Sequence, residues 1–310
     1  MTTDSAGLAQ GSRHVLLTGG TGFIGVPLVA ALRLQGWQVT VLVRDYAVAR
    51  AKLGSGVLLI KSLDEIDSEE CVDVIINLAG AGIADKRWSR DRKKQLLDSR
   101  LRSTRALVQL VQRLETRPTK LLSASAIGFY GASDGRALDE TSPGGDEFTH
   151  ELCKRWEQEA SKAEALGVSV CIMRLGVVLA AGGGMLGRLM PIFSLGLGGR
   201  TGSGQQYLSW IHRDDVLSAI QWLIANDCRG IYNLTAPEAV TNACFSQQLA
   251  SALRRPAWFH QPAALVQLLF GEMGERLLLN GQNVVPARLQ REGFRFSYPA
   301  LGSALGACVQ

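Results

Sequence analysis

The chain has 310 residues, 46% hydrophobic and 20% charged, with a formal net charge of +5; this length and balance specify a globular protein with a large core, arranged as one two-lobed unit or two domains. No apolar stretch reaches the roughly 18 residues of a membrane span, and the opening MTTDSAGLAQGSR lacks the apolar centre of a signal peptide. The six cysteines, at 71, 153, 171, 228, 244 and 308, form no CxxC pair and no Cys/His cluster, which speaks against disulfides and zinc and predicts reduced thiols in a cytoplasmic protein.

Residues 1–12 read as a flexible polar leader. The first apolar run, VLLTG, then gives way to glycines 19, 20, 22 and 25 and to the helix-like PLVAALRLQG. This is the strand, turn and helix order of a dinucleotide fingerprint. It fits GxGxxG as Gly20, Gly22, Gly25 and GxxGxxG as Gly19, Gly22, Gly25. Such glycines let backbone N–H groups approach a pyrophosphate at the positive end of the next helix.

Further strand-like runs follow at QVTVLVR (38–44), GVLLIK (56–61), VDVIINLAG (72–80), TKLLSAS (119–125) and VSVCIMRLG (168–176), most of them separated by segments of helical spacing. The runs are nearly continuous in Val, Ile and Leu, as in parallel strands covered on both faces. The pattern predicts an α/β, Rossmann-like doubly wound parallel sheet, with its ligand beyond the carboxyl ends of the strands.

About 20 residues past the glycines, where such folds read the adenosine ribose, the chain has VTVLVRDY. Arg44 offers a forked cation suited to a 2′-phosphate, so NADP(H) is expected over NAD(H). Asp45 is open to two other readings, as a ribose acceptor or as the partner of Arg44. Over 88–114, Leu97, Leu101, Thr104, Val108 and Val111 recur at helical spacing, which places most of the basic residues on a solvated face. Asp91 and Asp98 dilute that charge, and a nucleic-acid groove is not expected.

TGGTGFIG, NLAG (77–80) and SASAIGFYG (123–131) together resemble the extended short-chain dehydrogenase/reductase superfamily. The segments IADKRW, SPGGDEFTHELCKRWE, RLGVVLAAGGGMLG, GLGGRTGSGQQYLSWIHRDD, YNLTAPEAVTN and LLLNGQNVVPARLQREGFRFSYPAL narrow the resemblance to its atypical "epimerase family", nucleotide-sugar-epimerase-like proteins. The resemblance implies that the glycine loop, Gly19, Gly20, Thr21, Gly22, Phe23, Ile24 and Gly25, binds the diphosphate. It likewise implies that Val43 and Arg44 hold the 2′-phosphate, that Leu78, Ala79, Gly80 and Arg100 line the cofactor, and that Val178 lies near the nicotinamide. It divides the chain into an NADP-binding domain over 13–180 and, over 181–310, a smaller substrate lobe and helical region with strands returning to the sheet. It also implies a homodimer through the helices at 88–115 and 149–166.

Active members of the superfamily use a tyrosine four residues before a lysine, with a serine or threonine binding the substrate oxygen. Ser125 fits the hydroxyl position. In FTHELCKRWE, however, His150 stands at the tyrosine position with Lys154 one turn later. A histidine beside a cation can serve as a base near neutrality; a lone helical histidine also serves structure alone. Tyr130, just past the strand, reads as a pocket wall, and Asp214 and Asp215 read as caps of the next helix. Two functions follow. One is an NADP(H)-dependent oxidoreductase or epimerase acting on a carbonyl or sugar-nucleotide-like small molecule; the other is a non-catalytic NADP(H)-binding module or redox sensor.

Overall fold

The computed structural model describes residues 13–309; the leader expected over 1–12 lies outside the described residues. Seven strands form one sheet: β1 (His14–Thr18), β2 (Gln38–Leu42), β3 (Leu58–Ile60), β4 (Val74–Asn77), β5 (Lys120–Ala126), β6 (Ser169–Leu175) and β7 (Gly230–Leu234). Their order is β7-β6-β5-β4-β1-β2-β3, and every pairing is parallel. The order turns back between β1 and β4, so the crevice for a ligand opens beyond Thr18 and Asn77, which are register partners.

Alternation along β1 shows how the two layers form. Val15 and Leu17 enter one core with Leu28 and Leu32 of α1 (Gly25–Leu34), while Leu16 enters the other with Leu107 and Val111 of α3 (Arg90–Arg113). The first layer also holds α6 (Arg213–Ala225), through Val216, Ile220 and Leu223. The second is completed by α4 (Phe148–Ser161), through Ala160. The helical register read for α3 holds: Leu101, Thr104, Val108 and Val111 are buried, with Leu97 half-buried.

Both α6 and β7 belong to the cofactor-domain layers, so the chain enters the lobe after β6, returns to the sheet, and leaves it again. The lobe is built from α5 (Gly184–Ser194), α7 (Asn242–Ala252) and a terminal helix Leu301–Val309 around Phe193, Trp210, Phe245 and Leu305, with α8 (Ala263–Phe270) outside that cluster. Two buried charges anchor α6. Asp215 accepts from Ser297 N at 2.7 Å and Tyr298 N at 3.0 Å. Lys120 Nζ donates to the carbonyls of Leu223 (2.7 Å) and Asn226 at the end of α6, matching a cation to a helix C-terminus.

The expected caps of α6 are corrected. His212 accepts from Asp214 N at 3.2 Å and is the cap, with both aspartates inside the first turn. No helix among the described residues is long and apolar enough to cross a membrane, and all six cysteines are free thiols.

Candidate cofactor and substrate site

The glycine loop joins β1 directly to α1. Gly19 has φ of 74°, and a Cβ there would lie 2.6 Å from the Leu78 carbonyl oxygen, so only glycine fits between the ends of β1 and β4. Gly22 N donates to Gly19 O at 3.0 Å, closing the turn. Ile24 caps α1 with no side-chain bond, and the first turn holds no acid; Val26 N already donates to Gly22 O and Pro27 has no N–H, which leaves Gly25 N and the remaining loop amides before it for an anion. Thr21 O receives Lys52 Nζ at 3.2 Å. The Phe23 ring lies beneath residues 183–184, beside the Val178 carbonyl, with the Arg213 guanidinium 5.2 Å from its centre. Arg213 is thereby a cationic group beside the loop that the fingerprint did not reveal.

At the end of β2, Val43 is buried and donates to Ile60 O at 2.8 Å. Arg44 is exposed and enters no ion pair among the described residues. Asp45 accepts from Val48 N at 3.0 Å as the cap of α2 (Tyr46–Leu53). Its carboxylate therefore serves the helix, and the strand end presents a free guanidinium.

Beyond β4, Leu78 N donates to Thr18 O at 3.1 Å, with Ala79 half-buried and Gly80 exposed. Arg100 reaches this point from α3. It is 8% exposed and donates through Nη1 to Leu96 O at 3.0 Å. It stacks 5.1 Å over Trp156, and its buried Nε has no partner. A Cβ on Gly80 would sit 3.2 Å from the guanidinium carbon. Burial pulls its pKa below the ordinary arginine value, and no carboxylate pairs with it among the described residues. An unpaired buried cation with an orphaned donor is costly alone. It fits the phosphate or ribose oxygens of a dinucleotide.

The end of β5 holds the expected hydroxyl. Ser125 is 2% exposed and donates to Glu157 Oε1 at 2.6 Å. Glu157 is gripped by Arg174 of β6, through Nε at 2.9 Å and Nη2 at 2.8 Å. Arg174 Nη1 donates on to the Tyr130 hydroxyl, which donates to Asn233 Oδ1 at 2.7 Å. Tyr130 is thus a buried member of this chain of bonds; burial raises its pKa first of all, against the lowering effect of Arg174.

The expected trio of Ser125, His150 and Lys154 is not brought together. The residues of α4 that meet the end of β5 are Glu157 and Cys153, whose Sγ lies 3.6 Å from Ala126 O. Thr149 is buried one turn earlier, against Gly128. His150 and Lys154 are each one residue out of that register. Lys154 is exposed, while His150 Nδ1 bonds the Phe129 carbonyl at 2.8 Å with its ring 4.7 Å from that of Phe129. Burial pushes the Cys153 thiol up to about 11, with Glu157 adding to the rise, so it holds its proton at neutral pH. Glu157 and Arg174 had no signal of their own, since each reads in isolation as an ordinary charged residue.

A parallel sheet that reverses at β1, a glycine cradle running into an uncapped helix, and a hydroxyl at the end of β5 define a dinucleotide-binding Rossmann protein of the extended short-chain dehydrogenase/reductase type. The chain belongs to the NAD dependent epimerase/dehydratase family, whose profile matches residues 15–235. A domain of unknown function (DUF1731) matches residues 261–308. Among relatives, it is 40% identical over 306 residues to the chloroplastic epimerase family protein SDR39U1 homolog of Arabidopsis thaliana, covering 96% of this chain and 86% of that one. It is 37% identical over 300 residues to human epimerase family protein SDR39U1, with coverage of 96% and 99%. The crystal structure of the human protein (isoform 2) with NADPH superposes with a TM-score of 0.85 at 35% identity, covering 96% of this chain and 99% of that one.

Proposed function

We propose that this protein binds NADP(H) across the glycine loop and exchanges hydride with a small carbonyl or hydroxyl compound. The observation that carries the cofactor choice is at the end of β2, where Asp45 is committed to capping α2 and Arg44 is left without an ion pair among the described residues. A free guanidinium there favours a 2′-phosphate and offers nothing to a bare ribose that an acid would. The NADPH-bound human relative supports the same reading. Gly19 to Gly25 receive the diphosphate, Val43 and Arg44 the 2′-phosphate, and Leu78, Ala79, Gly80, Arg100 and Val178 flank the rest. A bound nicotinamide supplies reversible hydride transfer. The test is a titration of cofactor-stripped protein with NADPH and NADH, alongside Arg44→Ala.

Toward a substrate, Ser125 has its proton donated to Glu157, so its oxygen faces the site as an acceptor that orients a substrate hydroxyl. His150, with Nδ1 on the Phe129 carbonyl, keeps Nε2 for proton transfer. Lys154 has no role in this arrangement. The protein acts in the cytoplasm, and a homodimer through α3 and α4 completes the proposal.

One observation favours a second reading, that of a non-catalytic NADP(H)-binding module. The face of α4 turned to β5 presents Thr149, Cys153 and Glu157, with neither tyrosine nor lysine. Screening carbonyl compounds for NADPH oxidation, with Ser125→Ala and His150→Gln as controls, separates the two. Turnover that falls in both variants selects the enzyme; cofactor binding with no turnover selects the module.

A further inference from the structure

The lobe contains a small cleft, open to solvent at its mouth, that shares no lining residue with the glycine loop or with the ends of β4 and β5. Met185, Leu189 and Phe193 of α5 form one wall, and Phe245, Leu277 and Leu278 face them. None of the lining residues carries a charge. We propose that this cleft binds an uncharged, predominantly apolar molecule carrying a hydrogen-bond donor, at a site separate from the cofactor cradle.

Three observations lead there. The first concerns anions. The cleft reaches the N-terminus of α7, which would ordinarily draw a phosphate, but its leading N–H groups are taken. Asn242 N donates to Gln206 O and Ala243 N to Gly204 O, each at 2.9 Å, while Cys244 N donates to the Thr241 hydroxyl at 3.2 Å. With no cation in the walls, a diphosphate brought here stays uncompensated, and that is a costly burial.

The second concerns sugars. A pyranose ring needs several free polar partners, and two of the polar groups of this wall are spent on the protein. Asn242 Oδ1 accepts from Thr201 N at 2.8 Å, and Ser246 donates to Gly199 O at 3.1 Å. What remains is mostly aliphatic and aromatic surface, the usual lining of a site for an apolar ligand.

The third identifies the donor. Gln206 gives both amide hydrogens away, to Thr201 O at 3.0 Å and Leu278 O at 2.8 Å. Its Oε1 is buried without a partner. A buried acceptor left unpaired is destabilising, and a ligand hydroxyl or N–H relieves it.

The experiment uses N-phenyl-1-naphthylamine, a neutral apolar fluorophore with one N–H, and its sulfonated analogue 1-anilinonaphthalene-8-sulfonate. Both are titrated into the full chain, with NADPH titrated in parallel on the same samples. The expected result is one-to-one binding of the neutral probe, at least tenfold tighter than the sulfonate. 1-Decanol should displace it, whereas millimolar UDP-glucose should not. Leu189→Trp, which fills the cleft from α5, should abolish probe binding while melting temperature and NADPH affinity hold. Gln206→Leu should weaken the probe about fivefold. Tighter binding of the sulfonate, displacement by UDP-glucose, or probe binding indifferent to Leu189→Trp would overturn the proposal. Failure of NADPH to bind, with the probe seated as expected, removes the cofactor reading and leaves the site.

Discussion

Ser125 donates its proton to Glu157, 2.6 Å away, and Glu157 is itself the buried partner of Arg174. The hydroxyl at the end of β5 is therefore oriented by an ion pair running from α4 to β6. Breaking one side of a buried pair leaves the other charge uncompensated, which costs about 3–5 kcal/mol. Glu157→Gln should lower stability by that order in urea unfolding, and Ser125→Ala by about 1–3 kcal/mol as a lost buried bond. An equal, small loss in both variants would show that the pair does not hold the strand end.

This relationship was not legible in the sequence, and the reason is geometric. The i, i+4 pairs of FTHELCKRWE include His150 with Lys154 and Cys153 with Glu157. Choosing between them requires knowing which side of α4 meets β5, and that is decided by packing of Thr149, Trp156 and Ala160 in the tertiary structure. The six strands from β1 to β6 were legible because strands covered on both faces are written as unbroken apolar runs. The seventh, GIYNL, was not, since Tyr232 and Asn233 turn their polar ends to Glu292 and Val285. The glycine loop was legible because a backbone requirement leaves its mark at every position where a side chain does not fit.

Arg44 tests cofactor choice. A charge-assisted bond to a phosphate contributes about 1.5–3 kcal/mol, so Arg44→Ala should weaken NADPH binding by about 10- to 100-fold and leave NADH binding unchanged. Fluorescence titration reads both. Equal losses for the two nucleotides would mean that Arg44 contacts something common to them.

His212 predicts a pH dependence of stability. Burial lowers its pKa, outweighing Asp214 and Asp215, which raise it, while Arg213 adds to the lowering. The ring is needed neutral, because Nδ1 accepts from Asp214 N at the start of α6. Between the lowered folded value and the unfolded value of about 6.5, the unfolded chain takes up a proton and the folded chain does not. Stability should therefore fall as pH drops through that window, by about 1.4 kcal/mol per pH unit within it, and level off below. His212→Asn keeps a capping side chain without the titration and should flatten that part of the urea midpoint against pH. A variant with the same slope as the parent would place the titration elsewhere.

Arg100 gives the sharpest separation of function from stability. Its guanidinium lies between Trp156 and Gly80, and among the described residues Nε is unpartnered and no carboxylate meets it. In the cofactor-free protein it is a buried charge held against its solvation preference, and apolar residues of similar volume replace such charges at no loss or at a gain. Arg100→Met keeps the stem that packs on Trp156 and removes the charge. The expected outcome is a cofactor-free protein as stable as the parent or more so, by up to about 1–2 kcal/mol, with NADPH affinity reduced at least tenfold. Thermal unfolding with and without NADPH measures both, since a ligand raises stability only as far as it binds the folded state. A loss of stability without cofactor would make Arg100 a structural residue of α3. A gain together with weaker binding would show a buried charge retained for the anion it meets.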